Sequence, residues 1–171
     1  VQAILESIGV TYSGSGVLSS AMAMDKGISN MLYASAGLKV PEYAILDKKS
    51  QNKNINFIFP IVVKPADGGS SVGISIVKTK KDFPAAMKKA FKESSRSIVQ
   101  KYIKGREFTS AILGNKNPEA LPILEIKSKN TFFDYESKYT AGMAEEVFLN
   151  ESENELEKKI QAIGSKVHIA L

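Results

Sequence analysis

Lys64 closes the apolar run Phe59-Pro60-Ile61-Val62-Val63, and a small polar loop follows it: Pro65-Ala66-Asp67-Gly68-Gly69-Ser70-Ser71-Val72-Gly73. An ammonium at the end of a buried strand is partly desolvated, which is costly unless an anion compensates it. Glycines let backbone N–H groups approach an oxyanion closely, and the two serine hydroxyls add donors. Together these residues suit a flap that covers a phosphate. It is not a Walker-type loop, because the lysine precedes the glycines. The same residues would also make a plain hairpin tip, with glycine for the turn and serine for solubility. Spacing alone leaves both readings open.

Three other places carry candidate chemistry. Lys26, in Met24-Asp25-Lys26, falls inside a helical pattern, where an Asp-Lys pair is usually a solvated face and a functional lysine is the alternative. At Gln100-Lys101-Tyr102-Ile103 an extended segment runs into a glycine turn, with Glu107 just beyond. A purine is generally held by backbone groups of such a segment with apolar residues on either side, and a ribose by a carboxylate that accepts from its hydroxyls. An ordinary strand-edge carboxylate is the alternative for Glu107. The stretch Phe132-Phe133-Asp134-Tyr135-Glu136-Ser137-Lys138-Tyr139 is aromatic and charged without a period. It reads as a lid that closes on a ligand, or as a loop anchored by its aromatics. His168 is the sole histidine and is read as structural; one histidine supports neither a catalytic triad nor a zinc site.

Composition limits the field. The 171 residues suffice for one domain or two small lobes, and 43% hydrophobic content allows a packed core. The absence of cysteine excludes disulfides and thiolate metal sites and fits a reducing cytosol. No run approaches the roughly 20 apolar residues that span a bilayer, and the opening residues lack the pattern of a secretory leader. The net charge of +5 is concentrated at Lys78, Lys80, Lys81, Lys88, Lys89 and Lys92. These read as the solvated face of a helix; aromatics are not interleaved with them as a nucleic-acid stacking surface would require.

The elements that must position these residues follow from periodicity. Residues 1–9 read as a short helical end closed by Gly9. Residues 19–36 read as one helix, capped at Ser19 or Ser20 and ended by Gly37. Strands are expected at 43–46, 59–65 and 73–77, the last two forming a hairpin around the glycine-serine loop. Residues 80–93 form an amphipathic helix with Phe83, Met87, Ala90 and Phe91 on its apolar face. Strands at 97–102, 107–113 and 121–126 follow. Ser152-Glu153-Asn154-Glu155 reads as a capping box opening a helix with the stripe Leu156, Ile160, Ile163 and Val167. Residues 47–56 read as a surface loop or a weak helix, and 131–143 as a loop. The irregular alternation with hairpins favours α+β.

In this order, Tyr12-Ser13-Gly14-Ser15-Gly16, Met24-Asp25-Lys26, Val62-Val63-Lys64-Pro65, Gly69-Ser70-Ser71-Val72-Gly73, Glu107-Phe108-Thr109 and Asp134-Tyr135-Glu136-Ser137-Lys138-Tyr139 resemble the successive signatures of D-alanine–D-alanine ligases. The resemblance runs from Tyr12 to the final helix. It implies an ATP-grasp fold of the α+β class, with a central ATP-binding lobe, a truncated large lobe, and mostly antiparallel sheets with packed helices. Residues 1–20 would be the remnant of an N-terminal domain and linker, 21–103 the central lobe, and 104–171 the start of the large lobe. The implied activity is ATP-dependent ligation of two D-alanines through an acyl phosphate, for peptidoglycan synthesis, in a cytoplasmic enzyme that forms homodimers and takes small-molecule substrates rather than nucleic acid or membrane. Lys26 and Lys64 would hold ATP phosphates, with Ser71 covering them. Gln100, Lys101, Tyr102 and Ile103 would lie along the adenine, and Glu107 would bind the ribose. Ser70 and Tyr139 would close flap and lid over the substrate, and Lys138 would reach the transferred phosphate. The Mg²⁺ ligands and the catalytic arginine would lie outside this chain, so no metal ligand is assigned within it and the piece is expected to be inactive alone. Gln100 stands where many relatives have glutamate, and Asn30 where a second lysine is common. Tyr139 in place of phenylalanine favours D-alanine over D-lactate as second substrate. Another ATP-grasp carboxylate–amine ligase and a non-catalytic nucleotide-binding module are the alternative readings.

Overall fold

The computed structural model describes residues 1–49, 56–128, 139–140 and 142–171. The expected loops at 47–56 and 131–143 lie largely outside these residues. The helical period over 19–36 resolves into two helices, α2 (Val17–Met24) and α3 (Lys26–Ser35), behind a short α1 (Gln2–Ser7). Asp25 stands between them with extended backbone (φ −90°, ψ 105°). Its carboxylate accepts the N–H groups of Gly27 at 2.9 Å and Ile28 at 3.1 Å. A helix leaves its first N–H groups without internal partners, and an aspartate in this position satisfies them. The single expected helix is therefore corrected to two, and Lys26 begins a helix instead of sitting inside one. Neither Ser19 nor Ser20 caps α2, whose N-cap is Gly16. Helix α3 does end as expected: with Gly37 at φ +75°, its N–H reaches Ala34 O and that of Leu38 reaches Tyr33 O.

Four antiparallel strands make the first sheet, in the order β1 (Tyr43–Asp47), β4 (Arg96–Lys101), β2 (Ile61–Pro65), β3 (Ser75–Val77). Helix α4 (Phe83–Glu93) covers one face. Leu46, Ile61, Val63, Val77 and Val99 from the strands pack there against Ala86, Met87, Ala90 and Phe91. The six lysines of the charge cluster are all exposed, as a solvated helix face requires. Strand residues alternate sides, and directly opposed partners share a side. Burying Ile61 and Val63 therefore sends Val62 and Lys64 to the opposite face, where Val62 lies between Ile76 and Gln100 in register. The β2–β3 hairpin around the glycine-serine loop is formed as expected.

The second half differs more from the sequence pattern. The strand expected at 107–113 is split into β5 (Glu107–Thr109), in a sheet ordered β5-β8-β9, and β6 (Ile112–Leu113), which pairs with β7 (Glu119–Ala120). The strand expected at 121–126 begins only at Leu124 as β8 (Leu124–Ser128), which pairs with β9 (Ala144–Phe148). Pro122 offers no N–H, and that of Ile123 is taken by Glu157 Oε1 at 3.0 Å. Helix α5 (Asn154–Ala170) lies on β6 and β7. Its expected capping box is not formed. Asn150 instead accepts the Ser152 N–H at 3.0 Å and opens a 3₁₀ turn (Glu151–Glu153) ahead of the helix. Leu156, Ile160 and Val167 are half-buried, whereas Ile163 is 48% exposed. Contact is closest at Gly164, where a Cβ would stand 2.4 Å from Ser110 Oγ.

Gly73 ties the hairpin to the core. It sits at φ +75°, and a Cβ there would lie 2.7 Å from Pro65 Cγ and 2.9 Å from Glu93 Cγ. Gly73→Ala combines a strained backbone with a steric conflict and should lower stability by about 1–3 kcal/mol, read as a lower denaturant midpoint at unchanged slope. An unchanged midpoint would show that the hairpin tip is not held against α4.

Candidate functional site: a cleft between two sheets

The face of the first sheet turned away from α4 forms the floor of a cleft of about 310 Å³. Val62 and Ile76, with Ile74 and Pro41, give it apolar walls. Lys64 and Ser71 stand at one side, and the chain from Gln100 through Ile103 runs along another, with Glu107 of β5 completing the lining. Seven of the residues singled out in the sequence thus share one cavity: Lys64, Ser71, Gln100, Lys101, Tyr102, Ile103 and Glu107. The backbone leaves the sheet here: Lys101 N–H donates to Glu42 O at 2.9 Å and Tyr102 N–H to Pro60 O at 3.2 Å. Past them the segment is free of strand pairing and available to a flat ligand edge.

Lys26 approaches from α3. Its ammonium donates to Gly68 O at 2.9 Å, and its own N–H donates to Ala66 O at 2.8 Å, so it grips the glycine-serine loop at two points. Both lysines have pKa values below the ordinary lysine value. For Lys64 the cause is first burial, then repulsion by the Lys26 charge, partly relieved by Glu107. For Lys26 it is burial, opposed by Asp67 and Asp25. Lys64 lines the cavity, and the Lys26 charge acts on it from beside the adjoining loop. Two partly desolvated cations so close together form a site that an oligoanion would relieve.

The loop itself is strained. Ser70 and Ser71 both adopt left-handed backbone, at φ 53° and 59°. Such a conformation costs an L-residue of order 1–2 kcal/mol and persists only where neighbours enforce it. One restraint is visible: Ser70 Oγ and Tyr139 OH are 2.7 Å apart, joining residues expected to close flap and lid. Ser70 and Tyr139 meet each other and do not line the cleft. Lys138 lies outside the described residues.

Several supporting contacts had no sequence signal. Asp25, singled out only as the neighbour of Lys26, caps α3 and forms an ion pair with Arg96 of β4. Burial of Asp25 works against its charge, but the Arg96 guanidinium and the N–H groups of Ile28 and Gly27 more than offset it, holding the carboxyl below the usual range. On the second sheet Arg106 forks onto Glu125 at 2.7 and 2.8 Å, reaches Glu153 at 2.7 Å, and lies 5.0 Å from the Phe108 ring centroid. It clamps the strand that carries Glu107 to the start of α5. Arg106 and Arg96 are 19 and 71 residues distant from their Glu125 and Asp25 partners, beyond any local pattern. The apolar walls Val62 and Ile76 lie in segments the sequence marks as strands, but the continuous apolar run at 61–63 does not say which face each residue takes. His168 Nε2 lies 3.0 Å from Gly114 O, in keeping with a structural histidine. Among the described residues no group of three or more histidine, aspartate or glutamate side chains is placed to hold a metal ion, and no helix is long and apolar enough to cross a membrane.

The α+β arrangement of antiparallel sheets with packed helices is the ATP-grasp fold of the ligases to which the chain is structurally similar. The chain belongs to the D-alanine–D-alanine ligase family: the family model for the D-ala D-ala ligase C-terminus matches residues 32–171. It is 41% identical over 173 residues to the D-alanine–D-alanine ligase of Geotalea uraniireducens (strain Rf4), covering all of this chain and 55% of that protein. Among solved structures it is similar to the VanG D-Ala:D-Ser ligase from Enterococcus faecalis, with a TM-score of 0.84 and 32% identity over 99% of this chain and 51% of that one. The D-alanine–D-alanine ligase from Bacillus anthracis gives a TM-score of 0.73 and 35% identity over 98% and 56%. The chain spans about half the length of the curated relatives it matches.

The depressed lysines make a prediction about stability. A lysine whose folded pKa is lowered burdens the fold while it is charged. The unfolded chain keeps the proton to higher pH, so stability rises as pH climbs through the lowered folded value and levels off at the ordinary one. Lys64→Met should therefore raise stability at neutral pH, by about 0.5–1 kcal/mol, and its advantage should shrink as the pH rises through that window. Denaturant melts of both proteins across neutral to alkaline pH measure it. A destabilised variant at neutral pH would mean the ammonium is already compensated within the chain.

Proposed function

We propose that this chain is the nucleotide-gripping part of a cytoplasmic, homodimeric D-alanine–D-alanine ligase, which joins two D-alanines at the cost of ATP for peptidoglycan synthesis. In this reading residues 21–103 form the central lobe, 104–171 open the large lobe, and 1–20 belong to the domain before them. The observation that carries it is the single cleft in which Lys64, Ser71, the 100–103 segment and Glu107 converge.

In this reading a nucleotide lies along the cleft with its phosphates toward the glycine-serine loop. Adenine lies on Val62 and Ile76, with its edge along the backbone of 101–103, and Glu107 accepts from the ribose hydroxyls. The triphosphate extends toward Lys64 and Lys26 under the Ser70-Ser71 loop, where its charge compensates two ammoniums that are otherwise left repelling each other in partial burial. The first D-alanine's carboxylate attacks the γ-phosphorus, giving an acyl phosphate and ADP. The second D-alanine's amine then attacks the acyl carbon, forming the amide, losing a proton and releasing phosphate. The lysines neutralise charge as it develops, and no protein nucleophile is needed. The Ser70–Tyr139 bond joins the phosphate loop to the chain following Lys138, which suits closure over the acyl phosphate; Lys138 would reach the transferred phosphoryl group. Magnesium takes oxygen ligands in groups. The described residues offer no such group, so it is assigned no ligand here.

Calorimetric titration with ATP and Mg²⁺ tests the reading. The unaltered chain should bind, and Lys64→Ala should weaken binding at least about tenfold, the loss of one charge-assisted phosphate contact. Equal binding by the two proteins, or none by either, overturns the assignment of the cleft.

A further inference from the structure

We propose that Arg96, which stands outside the cleft, is a positioning residue for phosphate binding and acts through Asp25 to fix where the Lys26 ammonium stands. The inference rests on the nucleotide reading of the cleft.

A lysine side chain has four rotatable bonds, so where its charge stands depends on how firmly its backbone is anchored. Lys26 is the first residue of α3 and directly follows the kink at Asp25. What holds that kink is a closed circuit of bonds. The Arg96 guanidinium pairs with the Asp25 carboxylate. The other oxygen of that carboxylate takes the Gly27 and Ile28 N–H groups and so fixes the first turn of α3. The Lys26 N–H donates to Ala66 O at 2.8 Å, and the Ala66 N–H returns to Arg96 O at 2.9 Å. The next residue, Ser97, is fully buried and donates its hydroxyl to Lys64 O at 2.9 Å. The start of β4 thus holds the backbone of both lysines, Lys64 through the strand and Lys26 through an ion pair. Lys64 is fixed by sheet pairing, whereas Lys26 stands at a helix start held by the Asp25 cap and the Ala66 bond, with its ammonium donating to Gly68 O at 2.9 Å. Neither Arg96 nor Lys26 lines the cleft. Of the two, Lys26 is the one whose ammonium reaches the glycine-serine loop, at Gly68 O, so the effect of Arg96 is routed through Asp25 and Lys26.

The 171-residue chain is titrated with Mg²⁺–ATP and, as a phosphate-free probe, with adenosine, in four forms: unaltered, Arg96→Gln, Lys26→Met and the double variant. Arg96→Gln should weaken ATP about fivefold, leave adenosine unchanged, and have no further effect once Lys26 is methionine. A plain loss of stability would move both ligands together, and a direct phosphate contact by Arg96 would add to the Lys26→Met loss; either overturns the proposal. Should Arg96→Gln fail to fold, Arg96→Lys keeps the charge without the fork and should give a smaller loss confined to ATP; no loss at all overturns the proposal. If the unaltered chain binds ATP and Arg96→Gln binds it equally, the inference alone fails. If the unaltered chain binds neither ligand, the nucleotide reading falls and this inference with it.

Discussion

Strand β2 imposes a constraint that the site inherits. Because consecutive side chains of a strand point to opposite sides, a segment that buries Ile61 and Val63 against α4 must present Val62 and Lys64 to the other face. Antiparallel pairing extends this choice sideways. Ile76 and Gln100, the register partners of Val62, are carried to the same face and become the floor of the cleft. A slip of one residue would put Lys64 into the hydrophobic core and take the cleft away. The packing of α4 therefore fixes the position of a charge on the far side of the sheet.

That charge is expensive where it stands. Lys64 and Lys26 are partly desolvated, and the Lys26 charge adds to the burden on Lys64. The loop beside them holds two serines in left-handed conformation. A fold selected for stability alone would keep neither feature, and their occurrence side by side at and next to the cleft is what gives it its functional character. The supporting structure is correspondingly rigid: Asp25 and Arg96 fix one lysine, Ser97 bonds to the strand of the other, and Arg106 ties β5 to Glu125 and Glu153.

Elements with strong local codes were legible in the residues. The α4 stripe and the helix stop at Gly37 depend on contacts within a few positions and the β2–β3 hairpin on strands joined by one short loop, and each formed as expected. The errors share a cause. The helix over 19–36 was interrupted because Asp25 serves a cap and a distant arginine at once. The 121–126 strand was shortened because Glu157, far along the chain, takes the Ile123 N–H. The capping box at Ser152 lost to Asn150, two residues earlier, while Glu153 was drawn to Arg106. In each case a side chain also takes a partner far along the chain: Asp25 takes Arg96, Glu157 takes the Ile123 N–H, and Glu153 takes Arg106.

The candidate site divides along the same line. Its chemistry was present in the chain order: a lysine ending an apolar strand, a glycine-serine loop, an extended segment before a glycine, and a carboxylate beyond it. These follow from residue type and short spacing, because desolvation at a strand end and backbone freedom in a loop are local properties. Folding contributed convergence and support. Lys64, Gln100 and Glu107 become neighbours through antiparallel pairing and the turn between two sheets, and Lys26 is held by an ion pair spanning 71 residues. Side-chain partners at such separations are set by how helices and sheets pack, and a local sequence pattern carries no record of that.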